Sequence, residues 1–319
     1  MRPALAKSLA VALGLLLLTT LAVASEQGRF EKTLQVGNGT DLEVLTRSGN
    51  VTVHAGSAGS ISIIGKIHVG DRWFTGGRKD DVESIEKNPP ISQSGNSVRI
   101  DYVNVNNISI DYEITAPSDT RVRTKSGSGD QMVEGMKAGV DVETGSGDVR
   151  LRDLAGNLRV HTGSGNVEAR GAAGPIEAHA GSGDINIEEH GQGDVHIETG
   201  SGNIEVRGVD GGLRASAGSG DVRVDGKPTS SWNIKTGSGN ADLRLAQEVA
   251  FDVDLSTSSG SIVMGQPVTT TIQGRVEDAH KSIRGKVRGG GRKSACTPAP
   301  ATFASTEQVL YQGMPSGMP

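Results

Sequence analysis

The chain has 319 residues, of which 46 are glycine and only 3% are aromatic, and its formal net charge at pH 7 is −5. So few aromatic side chains cannot fill a thick globular core, and the single cysteine excludes an internal disulfide framework and a cysteine-rich metal centre. The composition therefore favours a thin, repetitive fold. The negative net charge argues against a surface that binds nucleic acid or anionic lipid.

Residues 1–24 have the organisation of an export signal. Arg2 and Lys7 supply a positive end, residues 9–21 an apolar stretch, and residues 22–24 a small-residue cleavage site. The alternative is an uncleaved membrane anchor, which the short apolar stretch disfavours because a helix needs about 20 residues to span a bilayer. We therefore expect an exported protein, located in the periplasm, at the cell surface or in the medium, with no membrane span after cleavage.

Residues 25–126 predict irregular β coils that precede a more regular region. The segments Leu42–Val51 and Ile108–Thr124 have the alternating apolar residues and the turn residues that are typical of short strands. Between them, Asp80–Lys87 begins with acidic residues and ends shortly before two prolines, which predicts one short helix. We expect this helix to cover an edge of the fold, since an open edge exposes unpaired strand groups.

Trp73 and Phe74 form an aromatic pair in a loop that is flanked by glycines. Such a pair is typical of a contact site for a partner. It is equally compatible with a loop that folds back over the first coils, and both interpretations stay open at this point.

Residues 127–288 contain a repeat of 18 or 19 residues. Each copy carries Gly-Ser-Gly followed by Asp or Asn, and a degenerate Ser-Ser-Gly copy follows at Ser258. A fixed period of this size indicates stacked structural units. The triplets, which we interpret as structural turns, begin at Gly127, Gly145, Gly163, Gly181, Gly200, Gly218 and Gly237.

The apolar residues of each copy alternate with charged ones, which indicates strands with one buried and one solvated face. Val149 and Val167 begin one inward column, whereas Arg150 and Glu168 begin an outward column. Winding the chain places such equivalent positions above one another at the spacing of a sheet, about 4.8 Å. The sequence therefore predicts an all-β fold, a right-handed parallel β-solenoid (a single-stranded β-helix) with 18–19 residues per coil.

The corner residues have two interpretations. Glycine adopts positive φ without a clash, and Asp or Asn can accept hydrogen bonds from local backbone N–H groups, so the motif can simply close a tight turn. Alternatively, carboxylates on adjacent coils, such as Asp130 and Asp148, would repel one another across about 5 Å, and calcium would relieve that repulsion. The copies are longer than nonapeptide calcium-binding repeats, which favours turn closure.

Glu143, His161, His179 and Glu198 fall on one outward column of successive coils. Two imidazoles one coil apart could hold a transition metal, so His161 and His179 are candidate ligands. No groups that would orient the two rings can be identified from the sequence, which favours the alternative of a solvated ladder of side chains.

The repeat region has no local departure that would build a catalytic groove. Because chemistry on a solenoid needs clustered groups in such a groove, the sequence predicts no catalytic residues, no cofactor and no enzymatic activity. The alternative is a polysaccharide-acting or metal-binding β-helix of the cell envelope.

Residues 289–319 lose the alternation and predict a disordered tail. A second interpretation is a frameshifted final repeat. Residues 294–305 can be encoded so that reading one base earlier gives VRVHTGSGDIRI, and this string contains the RVHTGSG of residues 159–165. On that interpretation Cys296 is an artefact and the last coil of the solenoid is missing.

The recurring Thr-Gly-Ser-Gly-Asp-Val-Arg-Leu pattern, seen at residues 144–151, resembles the bacterial adhesin family of unknown function that is built from β-strand repeats. That family is related to the head domains of autotransporter-like adhesins. The resemblance extends over about residues 42–288 and implies a fold but no active-site residues. It leads us to expect an exported, non-enzymatic surface protein that presents a charged repetitive face to an unidentified envelope or extracellular macromolecule.

Overall fold

The computed structural model describes residues 26–70, 78–245, 250–264, 270–271 and 282–287. The predicted export signal, the aromatic pair Trp73 and Phe74, and the predicted tail lie outside these described residues. Within them, no helix has the length and apolarity needed to cross a membrane.

The described chain consists almost entirely of β-strands, and the helix α1 (Arg78–Lys87) interrupts them. In chain order, the N-terminal strands are β1 (Glu26–Gln35), β2 (Asp41–Ser48), β3 (Val51–Gly56), β4 (Ser60–Val69), β5 (Ile91–Ser94), β6 (Ser97–Ile100) and β7 (Ile108–Pro117). The strands that follow are β8 (Arg121–Ser128), β9 (Gln131–Glu134), β10 (Val140–Ser146), β11 (Val149–Arg152), β12 (Leu158–Ser164), β13 (Val167–Ala172), β14 (Ile176–Ser182), β15 (Ile185–Glu189), β16 (Val195–Ser201), β17 (Ile204–Val209), β18 (Leu213–Ser219), β19 (Val222–Gly226), β20 (Trp232–Ser238), β21 (Ala241–Leu245), β22 (Phe251–Ser259), β23 (Ile262–Met264), β24 (Thr270–Thr271) and β25 (Ser282–Val287).

These strands form two sheets that share one hydrophobic core. The strand order of the first sheet is β1-β4-β7-β3-β9-β11-β13-β15-β17-β19-β21-β23. That of the second sheet is β24-β25-β22-β20-β18-β16-β14-β12-β10-β8-β2-β6-β5. From β8 to β23 each coil contributes one strand to each sheet, and equivalent strands pair in parallel. The fold is thus a β-solenoid of about seven turns, which confirms the predicted fold class.

Equivalent residues stack in the predicted register. Val149 pairs with Val167 in the first sheet, and both side chains are buried. The neighbouring Arg150 pairs with Glu168, and these two side chains are partly exposed. The second sheet repeats this alternation, so the inward columns of both sheets build the core and the outward columns carry the charges.

The N-terminal coils are stacked out of chain order. The coil made by β2 and β3 lies between the later coils β6–β7 and β8–β9, so both of its edges are paired. Val51 of β3, for example, has Tyr112 as its neighbour on one side and Gln131 on the other. The chain therefore completes this coil first and later adds strands on both sides of it.

The helix α1 covers β1, the edge strand of the first sheet. Val82 and Ile85 are buried, and Glu86 Oε1 accepts a hydrogen bond from the Arg29 N–H at 2.7 Å. The first turn of α1 carries Asp80, and an acidic residue there is favourable beside the partial positive charge of a helix N-terminus. The predicted helix is confirmed, and it protects an edge of the solenoid.

Antiparallel strands flank the parallel stack at its N-terminal end in both sheets and at its C-terminal end in the second sheet, whereas β23 is the edge strand of the first sheet among the described residues. At the N-terminal end, β1 pairs with β4 and β4 with β7 in the first sheet, while β5 pairs with β6 in the second. At the other end, β25 pairs antiparallel with β22. These pairings interrupt the parallel edges to which another chain would otherwise add.

Large aromatic side chains lie near the two ends of the core. The rings of Phe30 and Tyr112 meet edge to face at 6.3 Å, and those of Trp232 and Phe251 lie 6.2 Å apart. All four side chains are buried, and the Trp232 indole N–H donates to the Gly211 carbonyl at 3.1 Å. The coils between them are filled mainly by Val, Ile, Leu and Ala, which explains how so few aromatic residues suffice.

Candidate functional site

The corner Asp and Asn residues form a hydrogen-bond ladder along one edge of the solenoid. Asp130 Oδ1 accepts the backbone N–H of Asp148 at 3.0 Å, and Asp148 Oδ1 accepts that of Asn166 at 2.9 Å. The later rungs, at 2.7–3.0 Å, join Asn166, Asp184, Asn203, Asp221, Asn240 and Ser261. The expected bonds to local N–H groups are therefore bonds between coils, because the short rise per coil brings the equivalent N–H within reach.

The order of acids and amides keeps most carboxylates of this ladder apart. After Asp148, Asn alternates with Asp, and an amide can donate to the carboxylate before it, as Asn203 Nδ2 does to Asp184 Oδ1 at 3.3 Å. Asp130 and Asp148 are adjacent acids, and Arg150 contacts both of them. Its Nη1 lies 3.0 Å from Asp130 Oδ2 and its Nη2 lies 3.1 Å from Asp148 Oδ2. A guanidinium thus bridges the two candidate calcium ligands.

Replacing Arg150 with glutamine should lower the free energy of unfolding by about 1 kcal/mol, because the two adjacent carboxylates lose the positive charge between them. In an Asp148→Asn background the same replacement should cost less than half as much, since asparagine keeps the Oδ1 acceptor but carries no charge. Urea unfolding of the four proteins measures this coupling. Equal losses in both backgrounds would contradict the bridging role of Arg150.

Five side chains on the outward face of the second sheet form a group that we call the histidine–glutamate patch. They are His161 of β12, Glu177 and His179 of β14, and His196 and Glu198 of β16. These three strands are adjacent and parallel, so the sheet fixes the spacing of the side chains. His161 pairs with His179, and His179 with Glu198, as the predicted outward column requires.

His179 lies at the centre of the patch. Its Nε2 is 3.3 Å from Glu177 Oε1, and its Nδ1 is 3.5 Å from Glu198 Oε2. His196 Nε2 lies 3.0 Å from Glu198 Oε1. The ring centroid of His179 is 5.4 Å from that of His196 but 6.4 Å from that of His161. The nearer imidazole is therefore His196, which the predicted column does not contain.

Sequence reasoning missed Glu177 and His196 because it followed a single outward column. These two residues pair with each other on the neighbouring outward column, two positions earlier on each strand. Diagonal neighbours on adjacent strands are within reach of long side chains, so both columns must be compared. The sequence signal that could have revealed the patch is Glu-Ala-His at 177–179 and His-Ile-Glu at 196–198. The two segments carry the acid and the imidazole in opposite order, so each acid lies beside an imidazole of the other strand.

Two contacts favour the ionised form of the carboxylates of the patch. Arg159 Nε donates to Glu177 Oε2 at 3.0 Å and lowers the pKa of Glu177. The hydrogen bond with His196 lowers the pKa of Glu198. Glu177, His179, His196 and Glu198 are between 28% and 47% exposed, so the patch offers nitrogen and oxygen donors together at the surface.

A buried carboxyl group lies at the end of β15. Glu189 pairs with Ala172 in a core column, and only 2% of its surface is exposed. Its two carboxylate oxygens make no hydrogen bond of normal geometry within the described residues. Burial raises the pKa of Glu189 to about 7; the nearby backbone of Asp210 opposes this rise, and the charges of Asp210 and Asp194 add to it. The Glu189 side chain is inward because it continues the alternation of the buried Ile185 and Ile187 in β15, and sequence reasoning missed it because it followed the inward columns of this strand only as far as Ile187.

The sequence comparison assigns this two-sheeted repeat to a family. The Toastrack DUF4097 family matches residues 18–193 and, in a second match, residues 155–288. The chain belongs to the Toastrack DUF4097 family. This membership confirms the family resemblance that the repeat pattern predicts. No curated protein shows a significant match to this Toastrack sequence.

Three solved structures are similar in fold to this Toastrack chain. A "putative adhesin" from Bacteroides fragilis is 16% identical with a TM-score of 0.37, and the alignment covers 75% of this chain and 97% of that one. A "putative lipid binding protein" from Parabacteroides distasonis is 13% identical with a TM-score of 0.36, covering 75% and 98%. A "putative adhesin" from Parabacteroides merdae is 11% identical with a TM-score of 0.36, covering 76% and 99%. These similarities concern the fold alone.

The second sheet of this chain also carries an open groove of about 650 Å³ next to the patch. Acidic and basic side chains line it, and Arg159 belongs to both the groove and the surroundings of the patch. Arg121 Nη1 lies 3.2 Å from Asp41 Oδ1, and Arg123 Nε lies 3.4 Å from Asp141 Oδ2. The groove is therefore a surface of mixed charge that can exchange hydrogen bonds with a polar partner.

Proposed function

We propose that this Toastrack chain is an exported, non-enzymatic, adhesin-like binding protein, which presents the outward face of its second sheet to a macromolecule of the cell envelope or the extracellular space. The observation that carries this proposal is an outward column in which charged groups of opposite sign recur once per coil. The column runs through Arg123, Asp141, Arg159, Glu177 and His196.

Such a column suits an extended partner better than a small molecule. Successive coils are about 4.8 Å apart, so a polar group recurs at that interval along the face. Each exposed contact contributes little alone, but a polymer with repeating polar groups, such as an envelope polysaccharide, would contact many coils at once. Because the sheet holds these groups in register before binding, little ordering is required of the protein.

The N-terminal residues support a location outside the cytoplasm. Arg2 and Lys7, the apolar stretch that follows them, and the small residues ending at Ala24 have the organisation of a cleaved signal. Cleavage after Ala24 would leave a chain that begins at Ser25.

Binding to panels of cell-wall fragments and glycans tests the proposed function, with release of hydrolysis products measured in the same samples. We expect saturable binding without turnover. Replacing Arg123 and Arg214, which project from the second sheet, with glutamine should weaken that binding at least tenfold, because two charges of the proposed face are removed.

The matched control carries Arg170→Gln and Arg207→Gln on the first sheet, so its net charge changes by the same amount. It should bind as the unsubstituted protein does. Equal weakening in both double variants would show that overall charge, rather than the second sheet, determines binding. Turnover of a glycan would favour the alternative of a polysaccharide-acting β-helix.

A further inference from the structure

We propose that Glu177, His179 and His196 form a binding site for a divalent transition-metal ion, with zinc as the ion that best matches the donors. Each of the three residues offers one ligand atom, and these atoms lie within 4.8 Å of one another. Two imidazoles and one carboxylate are a donor set that zinc binds in proteins, with a solvent molecule or another group at the open position.

The spacing within the cluster is already close to that of a zinc site. Ligands at about 2.0–2.1 Å from a tetrahedral zinc ion lie about 3.3 Å from one another. His179 Nε2 and Glu177 Oε1 are 3.3 Å apart, so this pair needs little movement. His196 is the diagonal neighbour of His179, and rotation of these partly exposed side chains closes the remaining distance.

Groups around the three ligands hold them in place. Arg159 occupies Glu177 Oε2, which leaves Oε1 directed at His179. Glu198 contacts both imidazoles, at 3.5 Å from His179 Nδ1 and 3.0 Å from His196 Nε2. A carboxylate that accepts from the far side of a ligating imidazole fixes the ring and raises its basicity, and Glu198 is placed to do so for two rings. These orienting groups are the ones that the sequence alone does not reveal.

The donors also discriminate between metal ions. Calcium takes six to eight oxygen ligands, whereas this cluster supplies two nitrogens and few oxygens. Imidazole suits zinc, copper and nickel, so a transition metal is the occupant that the chemistry favours. The parallel strands β14 and β16 fix the backbone positions of all three ligands, so the site does not depend on a loop.

Titration of the full chain, free of any affinity tag, with zinc chloride in a calorimeter tests this site. We expect one zinc ion per chain, with affinity at least tenfold lower in His196→Asn and in Glu177→Gln. His190→Asn is the matched control, since His190 also lies 3.1 Å from a glutamate, Glu188, but outside the patch. It should bind zinc as the unsubstituted protein does.

Circular dichroism and thermal unfolding without metal establish that the variants are folded. If one of the two patch variants does not fold, the other still tests the site. Absence of saturable zinc binding, or equal affinity in the unsubstituted protein and both patch variants, would overturn the proposal. So would a loss of affinity in His190→Asn as large as that in His196→Asn. Excess calcium should leave bound zinc in place, and displacement by calcium would also count against the site.

Discussion

The Glu189→Gln protein should be more stable than the unsubstituted protein by about 2–3 kcal/mol near pH 8 and almost equal to it near pH 4. The pKa of Glu189 is raised from its ordinary 4.5 to about 7, so between these values the folded chain binds one proton more than the unfolded chain. The contribution of Glu189 to stability is therefore full below pH 4.5 and falls as the pH rises to about 7. Glutamine has no proton to lose, so this decline disappears.

Urea unfolding across this pH range measures the effect, and the difference between the two proteins isolates it because all other groups titrate alike in both. Glu188→Gln is the matched control, since Glu188 is the preceding residue but is partly exposed and lies 3.1 Å from His190. It should leave the difference between low and high pH unchanged. Parallel stability curves for Glu189→Gln and the unsubstituted protein would show that the carboxyl is solvated in the folded chain.

Replacing Gly220 with alanine should lower the free energy of unfolding by about 3–5 kcal/mol or prevent folding. Gly220 has a φ of +135°, and an added Cβ would lie 2.0 Å from the carbonyl oxygen of Gly202 on the preceding coil. That contact is with backbone, which the parallel ladders on both sides hold in register, so no side-chain rotation can relieve it. Urea unfolding measures the loss.

Gly59→Ala separates the two causes of this loss. Gly59 also has positive φ, +89°, but no atom lies within 4 Å of the position that a Cβ would take. Its replacement should therefore cost only the strain of the backbone conformation, about 1–2 kcal/mol. If the two substitutions cost the same, the close stacking of the corners would not be the reason for their glycines.

The repeat region could be predicted from sequence because its period and its alternation specify the same arrangement. Val149 and Val167 had to be buried together if the coils stacked at all, and a register shifted by one residue would have placed their charged neighbours in the core. The corner glycines could be located for the same reason. The partners of the corner Asp and Asn side chains could not, because a bond to the next coil depends on the rise and not on the local sequence.

Other features depend on contacts that a one-dimensional pattern does not contain. The pairing of Val51 with both Tyr112 and Gln131 follows from the order in which the coils stack. Because every coil carries the same alternation of apolar and polar residues, the sequence pattern does not distinguish one coil order from another. The nearness of His196 to His179 is a diagonal contact between two neighbouring outward columns. The first of these features lies where the coils stack out of chain order, and the second lies where two imidazoles meet on neighbouring outward columns.

The coil of residues 41–56, enclosed by later parts of the chain, imposes an assembly order on the molecule. As the polypeptide is synthesised, this coil stays half-paired until residue 134 is free, because β3 pairs with β9, whereas each later coil adds to a finished edge. Formation of the first coils requires a slow long-range closure, after which the remainder can propagate toward the C-terminus.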